Sequence, residues 1–522
     1  MFKENKSHMQ GNLFGVEHFW TKKQQKYFEG STELTFYNKV FHLIDEKSFA
    51  CLYSTEKSRP NVPINQLVGS LILKHLNDWT YSELFQNLNF NALTRYAIGI
   101  TSPEEDVFAE ASIFNFQNRL IEHYERTGED LMTNMFLLIT KDHIKKYKVS
   151  TNIQRGDSFL VDSKVMDYSK LRLLVEVVKR LFRNMDPADS EQYCELLESY
   201  ANQSSTQYVY ALRKQELTSE YQKIAMAYYT IKNTIDSKYK ESEAYKTFQR
   251  VYTEYFKIKE DGTQIELKPG KESKSSDIKS PDDPEATFTS KYHKGHVGYT
   301  VHISETVNPD NKLELITDVV VHPNNVSDDR ILESRIEKIK HNMPEWDEYF
   351  ADGAYGNEQV DILNEKHGIT LYHKGIKGRK SYGDFRIHDD GDTVSMSCAG
   401  NQKVMAQRTD KRYKAVFDNS ICATCPLEAK CNAKKIGGKL KEMKRTYYFG
   451  RENILAHKRM TNIERIPKSR WNTRANVEAT IKEMKRGINN GKVRVRRWIR
   501  VSLHMIFTAM SVNLRRIHLK TA

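Results

Sequence analysis

The first part of the chain carries apolar residues at the three- and four-residue spacing of α-helices. This pattern runs from Leu34 to about Thr140. Pro60 and Pro63 lie where its densest part begins, and proline is tolerated at the start of a helix but not inside one. The pattern predicts an all-α amino-terminal domain over residues 1–145.

A second helical stretch follows a short extended run that ends near Asp157. Apolar residues from Leu217 to Ile235 recur at alternating spacings of four and three, which is typical of paired helices. We interpret residues 165–260 as a helical hairpin inserted into a larger fold. Residues 259–284 combine Gly, Ser and Pro with charged residues, and this composition predicts a linker.

Strand patterns begin directly after this segment. Apolar residues alternate at period two from Val297 to Ile303, which predicts a strand. Further short runs that predict strands follow, with stretches of helical spacing among them. The predicted elements are strands over 297–303 and 313–321, a helix capped by Ser327, a strand over 348–352, a helix over 357–366 and a strand over 369–372.

Together with the strand near Asp157, this order is three strands, helix, strand, helix, strand. It matches the ribonuclease-H-like fold, in which the first and fourth strands lie side by side. We therefore expect a mixed α/β protein with an insertion-split core. Asp157 and Asp352 should meet across 194 intervening residues.

Positive charge is concentrated at the carboxyl-terminal end. The chain has 522 residues, a length that predicts roughly two to four domains, and a formal net charge of +13. Residues 441–522 hold 21 Lys and Arg against five Glu, a net of +16, so the remainder nets −3. A field of this kind attracts phosphate by releasing counterions, which predicts nucleic-acid binding.

Composition argues against a secreted or membrane protein. Six cysteines in 522 residues are too few for a disulfide framework, and the first residues lack the apolar core of a signal peptide. No apolar run approaches the roughly 18–20 residues that cross a bilayer. We expect a cytoplasmic protein with no membrane partner.

Three carboxylates occupy positions suited to metal-assisted phosphodiester chemistry. Divalent cations that clamp the entering and leaving oxygens of a phosphodiester need hard oxygen ligands. Asp157 and Asp352 lie at strand edges, with Asp162 as the alternative to Asp157. Glu478 is the third, and its alternative is a surface ion pair with Arg474 and Lys482.

Arg474, Glu478, Lys482 and Lys485 are spaced four, four and three residues apart, so they are predicted to share one face of a helix. A carboxylate among cations suits a site that receives both metal and phosphate. A further helix with aromatic and basic groups is predicted over residues 112–121. We expect DNA bases to be read by the segment over residues 63–119, which includes Arg119.

Several of these segments resemble the DDE transposases of bacterial insertion sequences. The resemblance covers nearly the whole chain, with Trp471 where the family's signature has Tyr and Phe159 where Thr commonly follows Asp-Ser. Its motifs are Gln154-Arg155-Gly156-Asp157-Ser158, residues 169–177, residues 280–287, Ala351-Asp352-Gly353-Ala354-Tyr355-Gly356, and Arg474 with Glu478 and Lys485.

The resemblance implies that Asp157, Asp352 and Glu478 hold two Mg²⁺ ions, for which Mn²⁺ can substitute. The enzyme would cut double-stranded DNA at the terminal inverted repeats of its element and join the 3′ ends to target DNA, acting as a homodimer in the bacterial nucleoid. Arg474 and Lys485 would contact phosphates. The alternatives are a hydrolytic nuclease without strand transfer and a transposase-derived DNA-binding protein.

Four cysteines fall between the second and third carboxylates. Cys422 and Cys425 form a C-x2-C pair, flanked at uneven distances by Cys398 and Cys431. Four thiols in one cytosolic segment favour tetrahedral zinc, and four reduced structural thiols are the alternative. We assign residues 376–460 to a basic, cysteine-containing insertion, 146–375 to the first part of the core, and 461–522 to its helical end with a basic tail.

Overall fold

The computed structural model describes the chain except residues 10–14, 103, 167, 259–264, 292, 374–384, 438–443, 465, 471–472 and 522. The amino-terminal region is helical, as its periodicity predicts. Most of these helices begin at Ser, Thr, Asn or Asp side chains that accept a hydrogen bond from the first turn. Its helices are α1 Lys22–Glu29, α2 Thr32–Lys39, α3 Ile64–Leu76, α4 Tyr81–Phe90, α5 Ala92–Ala97, α6 Glu110–Thr127 and α7 Leu131–Tyr147.

The first strand, β1, spans Ile153–Asp162, so Asp157 lies inside a strand rather than at its end. The insertion after it is larger than the predicted hairpin. Several of its helices are amphipathic, and their apolar faces enclose a hydrophobic core of their own. Its elements are α8 Lys170–Arg183, α9 Pro187–Glu191, α10 Cys194–Ala201, α11 Ser205–Ala211, α12 Leu217–Thr234, α13 Glu243–Tyr255, β2 Phe256–Ile258 and β3 Ile265–Leu267.

The predicted linker is wrong in its second half, which is built into the fold. Asp283 is fully buried and accepts hydrogen bonds from the hydroxyls of Ser163 (2.5 Å) and Tyr299 (2.7 Å). A buried carboxylate needs such donors, and these contacts fix Asp283 against the sheet. The part of the prediction over 259–264 lies outside the described residues.

The central sheet has the predicted ribonuclease-H-like arrangement. Its strands run in the order β4-β5-β1-β7-β8, with β6 also paired to β5. β1 is antiparallel to β5 and parallel to β7, and β7 is parallel to β8. The elements are β4 Thr287–Lys291, β5 Lys294–Thr306, β6 Ile316–Pro323, α14 Asp328–Asn342, β7 Glu348–Ala351, α15 Glu358–His367 and β8 Thr370–His373.

The cysteine-containing segment forms a second sheet, which the sequence pattern did not predict. Its strands pair in the order β13-β14-β12-β11-β10-β9. They are short, and several carry charged residues on an exposed face, so their period-two signal is weak. The elements are β9 Arg386–Asp389, β10 Val394–Ser397, β11 Lys403–Arg408, β12 Tyr413–Phe417, α16 Asn419–Ala423, β13 Lys434–Ile436 and β14 Lys444–Phe449.

The last three helices of the described chain belong to the core. They are α17 Arg451–Glu464, α18 Val477–Met484 and α19 Trp498–Thr521. α19 is largely buried and packs on α3 and β6. One hydrophobic core therefore joins the amino-terminal helices, one face of the central sheet, α18 and α19, because α19 is apolar around most of its circumference.

Candidate active site

Asp157 and Asp352 lie side by side, as the strand order predicts. β1 and β7 pair in parallel with Arg155 opposite Phe350, and each aspartate follows two residues later. The backbone N–H of Ser158 donates to Oδ1 of Asp157 (2.8 Å), and that of Gly353 donates to Oδ1 of Asp352 (2.6 Å). Both carboxylates are thus oriented by their own backbone.

Arg474 bridges these two carboxylates. Its Nη2 lies 3.1 Å from Oδ2 of Asp157 and 3.0 Å from Oδ2 of Asp352. Its buried Nε finds no hydrogen-bond partner among the described residues. One guanidinium nitrogen therefore occupies the space between two carboxylates, where it compensates their mutual repulsion.

Glu478 is near this pair in the chain but is not joined to it. It lies in the first turn of α18, which packs on β1. It is exposed and forms no ion pair or side-chain hydrogen bond with a residue that the structure describes. Among all the residues that the structure describes, no three His, Cys, Asp or Glu side chains are grouped closely enough to hold a metal ion.

The predicted shared helix face is only partly correct, because α18 begins at Val477. Arg474 lies before the helix, in a segment held by a long-range contact. Arg155 donates from Nη1 to the carbonyl of Thr473 (3.0 Å) and from Nε to Oε1 of the fully buried Glu305 (2.7 Å). The sequence reading did not include the Arg155–Glu305 ion pair, although a charged residue inside a predicted strand is the signal for such a pair.

Asp162, the alternative to Asp157, has a different partner. It lies at the end of β1, and its Oδ1 is 2.9 Å from Nδ1 of His296. No contact between Asp162 and Asp352 or Arg474 exists among the described residues. Of the two aspartates, Asp157 is the one that shares the Arg474 contact with Asp352.

A third carboxylate, Asp328, lies near the pair. Burial raises the pKa of Asp328, the Ser158 hydroxyl and Lys291 lower it, and Asp352 raises it. Burial also raises the pKa of Asp157, with Arg474 acting in the opposite direction. The sequence pattern predicted only a helix capped by Ser327 at this place. The signal for a further carboxylate was the pair of successive acids, Asp328 and Asp329, at the start of α14.

A buried polar network lies behind β1. The Ser158 hydroxyl is 2.6 Å from the Tyr355 hydroxyl, which lies 3.0 Å from Nδ1 of His302. On the other side of the ring, Nε2 of His302 lies 3.3 Å from the Tyr349 hydroxyl. Burial lowers the pKa of His302 to about 4, so the ring is neutral at physiological pH. The network fixes the strand positions that flank Asp157.

Two family models match the chain. Residues 390–518, which include Glu478, match the Transposase DDE domain, and residues 25–119, which run from within α1 to within α6, match a Transposase domain (DUF772). These two matches are typical of bacterial insertion sequence transposases. A search of curated proteins finds no match. The DDE domain implies a ribonuclease-H-like fold and a DNA-binding transposase.

The residues predicted to contact DNA occupy separate places in the structure. Lys482 is exposed on α18. Lys485 caps the end of that helix, with Nζ 5.2 Å from the centre of the Phe159 ring. The Arg119 guanidinium lies 4.6 Å from the centre of the Tyr53 ring, in the amino-terminal helices. Trp471, the departure from the family signature, lies outside the described residues.

The four cysteines line one small cavity of about 50 Å³ in the second sheet region. All four are free thiols, and burial raises the pKa of the Cys422 thiol. Nε2 of Gln402 donates to Sγ of Cys422 (3.4 Å). The structure thus gathers the predicted thiols without grouping three of them closely enough for a metal ion.

None of the described helices combines the length and apolar character that crossing a bilayer requires.

Proposed function

We propose that this transposase cuts DNA at the ends of its element and joins the freed 3′ ends to target DNA. Asp157, Asp352 and Glu478 would hold two Mg²⁺ or Mn²⁺ ions. The observation that carries the proposal is the Arg474 bridge, because a cation already lies between the two aspartates. DDE transposase domains generally use divalent metal ions, and these oxygen ligands are the ones such ions prefer.

Divalent ions bound there would stabilise charge on the entering and leaving oxygens of the scissile phosphodiester. The chain's own residues prepare that position. With the backbone hydrogen bonds on Oδ1 of Asp157 and Asp352, both Oδ2 atoms face one point, which Nη2 of Arg474 occupies. Glu478 would complete the ligand set from α18, which packs against the strand that carries Asp157.

Arg474 would couple DNA binding to metal binding. Its guanidinium donates to two carboxylates, and an arriving phosphate offers an alternative acceptor of the same charge and geometry. Moving Arg474 onto the phosphate would free Asp157 and Asp352 for cations. Moving Arg474 would also shift the segment that leads into Glu478, because Glu478 follows Arg474 by four residues.

The proposal is tested with purified protein and a plasmid that carries the gene with its own flanking DNA. With Mg²⁺ or Mn²⁺ we expect cuts at both element ends and joined products in target DNA. Asp352→Asn and Glu478→Gln should bind DNA without cutting it. Asp162→Asn is the control and should keep activity. Cutting without joining would indicate a nuclease, and binding without cutting would indicate a DNA-binding protein.

Joining two ends to one target requires two active sites, so a homodimer on DNA is part of the proposal. Light scattering of the protein with end DNA should give two chains per complex. One chain per complex in a preparation that completes strand transfer would contradict it.

Structural zinc at Cys398, Cys422, Cys425 and Cys431 is a second proposal: the four thiols share one cavity, and they would have to draw closer together to bind the ion. Elemental analysis of the purified protein should find one zinc per chain, lost in Cys425→Ser. Protein without zinc and with four titratable thiols would favour the reduced-thiol alternative.

A further inference from the structure

A cationic cleft separates the amino-terminal helices from the segment that precedes α19. Its cavity measures about 280 Å³, and its walls come from α3, α4, α6 and α19. An adjoining cavity of about 380 Å³ shares Arg494 and Arg500 and adds Lys164, Arg496 and Arg497. We call the two together the arginine cleft. The side chains that carry the argument below are Lys74, Tyr81, Phe114, Gln117, Arg494 and Arg500.

Positive charge in this cleft exceeds its internal compensation. Arg494 pairs with Asp78 (3.1 Å) and Arg496 with Asp282 (3.4 Å). Arg500 has only the neutral Asn118 amide as a partner (2.9 Å) among the described residues. Burial and Arg494 together lower the pKa of Lys74 to about 8. Such crowding of cations is expected where an anion is to be bound.

Aromatic rings lie directly beside these cations. The rings of Tyr81 and Phe114 are 4.8 Å apart at an angle of 53°, and Phe114 is 38% exposed. Nζ of Lys74 lies 4.7 Å from the centre of the Tyr81 ring. Gln117 accepts a hydrogen bond from the Tyr81 hydroxyl (3.2 Å) and adds an amide that can pair with a base edge.

Exposed rings next to guanidinium groups are the combination that binds unpaired nucleotides. The base stacks on the ring, and the phosphates on either side are held by the cations. A base inside a duplex cannot reach such a surface, because its neighbours cover both of its faces. Phosphate contact alone would not need the rings.

The cleft also lies within reach of DNA at the candidate active site. Nε of Arg496 donates to the carbonyl of Lys164 (2.7 Å), two residues beyond the end of β1. Lys164 follows Asp157 by seven residues, which is about 20 Å of extended chain. One DNA segment could therefore contact both places.

We propose that the arginine cleft binds an unpaired nucleotide of the DNA substrate. The base stacks on Phe114 and Tyr81, and Arg494 and Arg500 hold the flanking phosphates. The choice of DNA rests on the proposed function. The site itself is separate from Asp157, Asp352 and Glu478, and its binding needs no divalent metal.

The test is fluorescence anisotropy in EDTA with the full chain and two duplexes of the same sequence. One duplex is blunt, and the other ends in three unpaired nucleotides that include 2-aminopurine. Phe114→Ala should weaken binding of the extended duplex about tenfold and leave the blunt duplex unchanged. Quenching of 2-aminopurine should occur with the unmodified protein and with Phe114→Tyr, and should disappear with Phe114→Ala.

The controls separate stacking from phosphate contact and from misfolding. Phe90→Ala removes a ring that is 87% exposed and outside the cleft, and it should not change the binding of either duplex. Arg494→Gln and Arg500→Gln should each weaken the binding of both duplexes. Each should also reduce the slope of the logarithm of the binding constant against the logarithm of the salt concentration by about 1. Unchanged thermal unfolding of Phe114→Ala, with binding retained in Phe114→Tyr, excludes a folding defect.

Equal losses for both duplexes in Phe114→Ala, or quenching that persists in that variant, would overturn the proposal. Because no metal is present and no bond is cut, an inactive carboxylate site does not affect this result. Conversely, if the unmodified chain cuts and joins DNA while Phe114→Ala binds the extended duplex as tightly as the unmodified chain does, this inference is overturned and the proposed function is not.

Discussion

At the scale of single residues, Arg474 decides the state of the candidate active site. Without metal it supplies the positive charge that two neighbouring carboxylates require. With metal it must give up both contacts, so metal binding has to overcome two charge-assisted hydrogen bonds. Each such bond contributes about 1.5–3 kcal/mol, and any acceptor that draws Arg474 away favours metal.

Arg474→Gln should therefore lower stability without metal and increase the stabilisation that metal binding provides. In EDTA we expect the variant to be less stable by about 1–3 kcal/mol, since two carboxylates then lack their counter-charge. With Mn²⁺ the gain in melting temperature should be larger than in the unmodified protein. Differential scanning fluorimetry measures both. Equal Mn²⁺-induced shifts in the two proteins would show that Arg474 does not compete with the ion.

Gly156, next to Asp157, is required by packing. A Cβ at this position would lie 1.8 Å from the Tyr349 hydroxyl and 2.8 Å from the carbonyl oxygen of Ile303. We expect Gly156→Ala to cost about 1–3 kcal/mol of unfolding free energy through overpacking. Urea denaturation should show partial recovery when Tyr349→Phe is added, because the closest atom is removed. Additive losses in the double variant would contradict this.

At the scale of elements, a buried ionic cluster positions α18 against β1. Glu305 on β5 is completely buried and accepts from Arg155 (2.7 Å), the Thr480 hydroxyl (2.9 Å) and Arg516 (2.8 Å). These partners belong to β1, α18 and α19. The cluster thus connects the strand that carries Asp157 to the helix that carries Glu478.

Glu305→Ala should be strongly destabilising, by about 3–5 kcal/mol, because two arginines lose their buried counter-charge. Thr480→Val removes one hydroxyl from the same cluster and should cost about 1 kcal/mol. Chemical denaturation of both variants gives the comparison. Similar, small losses in the two would mean that the cluster contributes little to holding α18.

The sequence predicted the elements whose signal is local. Strand β5 alternates at period two and β6 to β8 carry short apolar runs, and the order of these strands was enough to place Asp157 beside Asp352. The start of α18 was misplaced because the segment before it is fixed by Arg155, more than 300 residues away. The second sheet was missed because its strands are short and partly charged.

At the scale of the whole molecule, the amino-terminal helices and the central sheet share one hydrophobic core. α19 lies between them and packs on both α3 and β6. The side chain of Asn513 pairs with both backbone groups of Ile316 (2.8 and 2.9 Å), while the Ser511 hydroxyl donates to the carbonyl of Ile72 (3.2 Å). The last helix therefore joins the first region to the sheet.

A chain that starts at residue 146 should consequently fail to fold cooperatively. It would expose the apolar face of α19 that α2, α3 and α7 cover, and exposed apolar surface of this extent promotes aggregation. Size-exclusion chromatography and near-ultraviolet circular dichroism, with the full chain as control, measure the effect. A monomer with a sharp unfolding transition would show that the sheet region is independent.

The central claim is that Asp157, Asp352 and Glu478 form one metal site when DNA is bound. Its most direct test counts bound Mn²⁺ by electron paramagnetic resonance in the complex with the gene's flanking DNA. The account predicts two ions for the unmodified protein and for Asp162→Asn, and fewer for Asp157→Asn, Asp352→Asn and Glu478→Gln. Two ions retained in Glu478→Gln or in either Asp157→Asn or Asp352→Asn would contradict it.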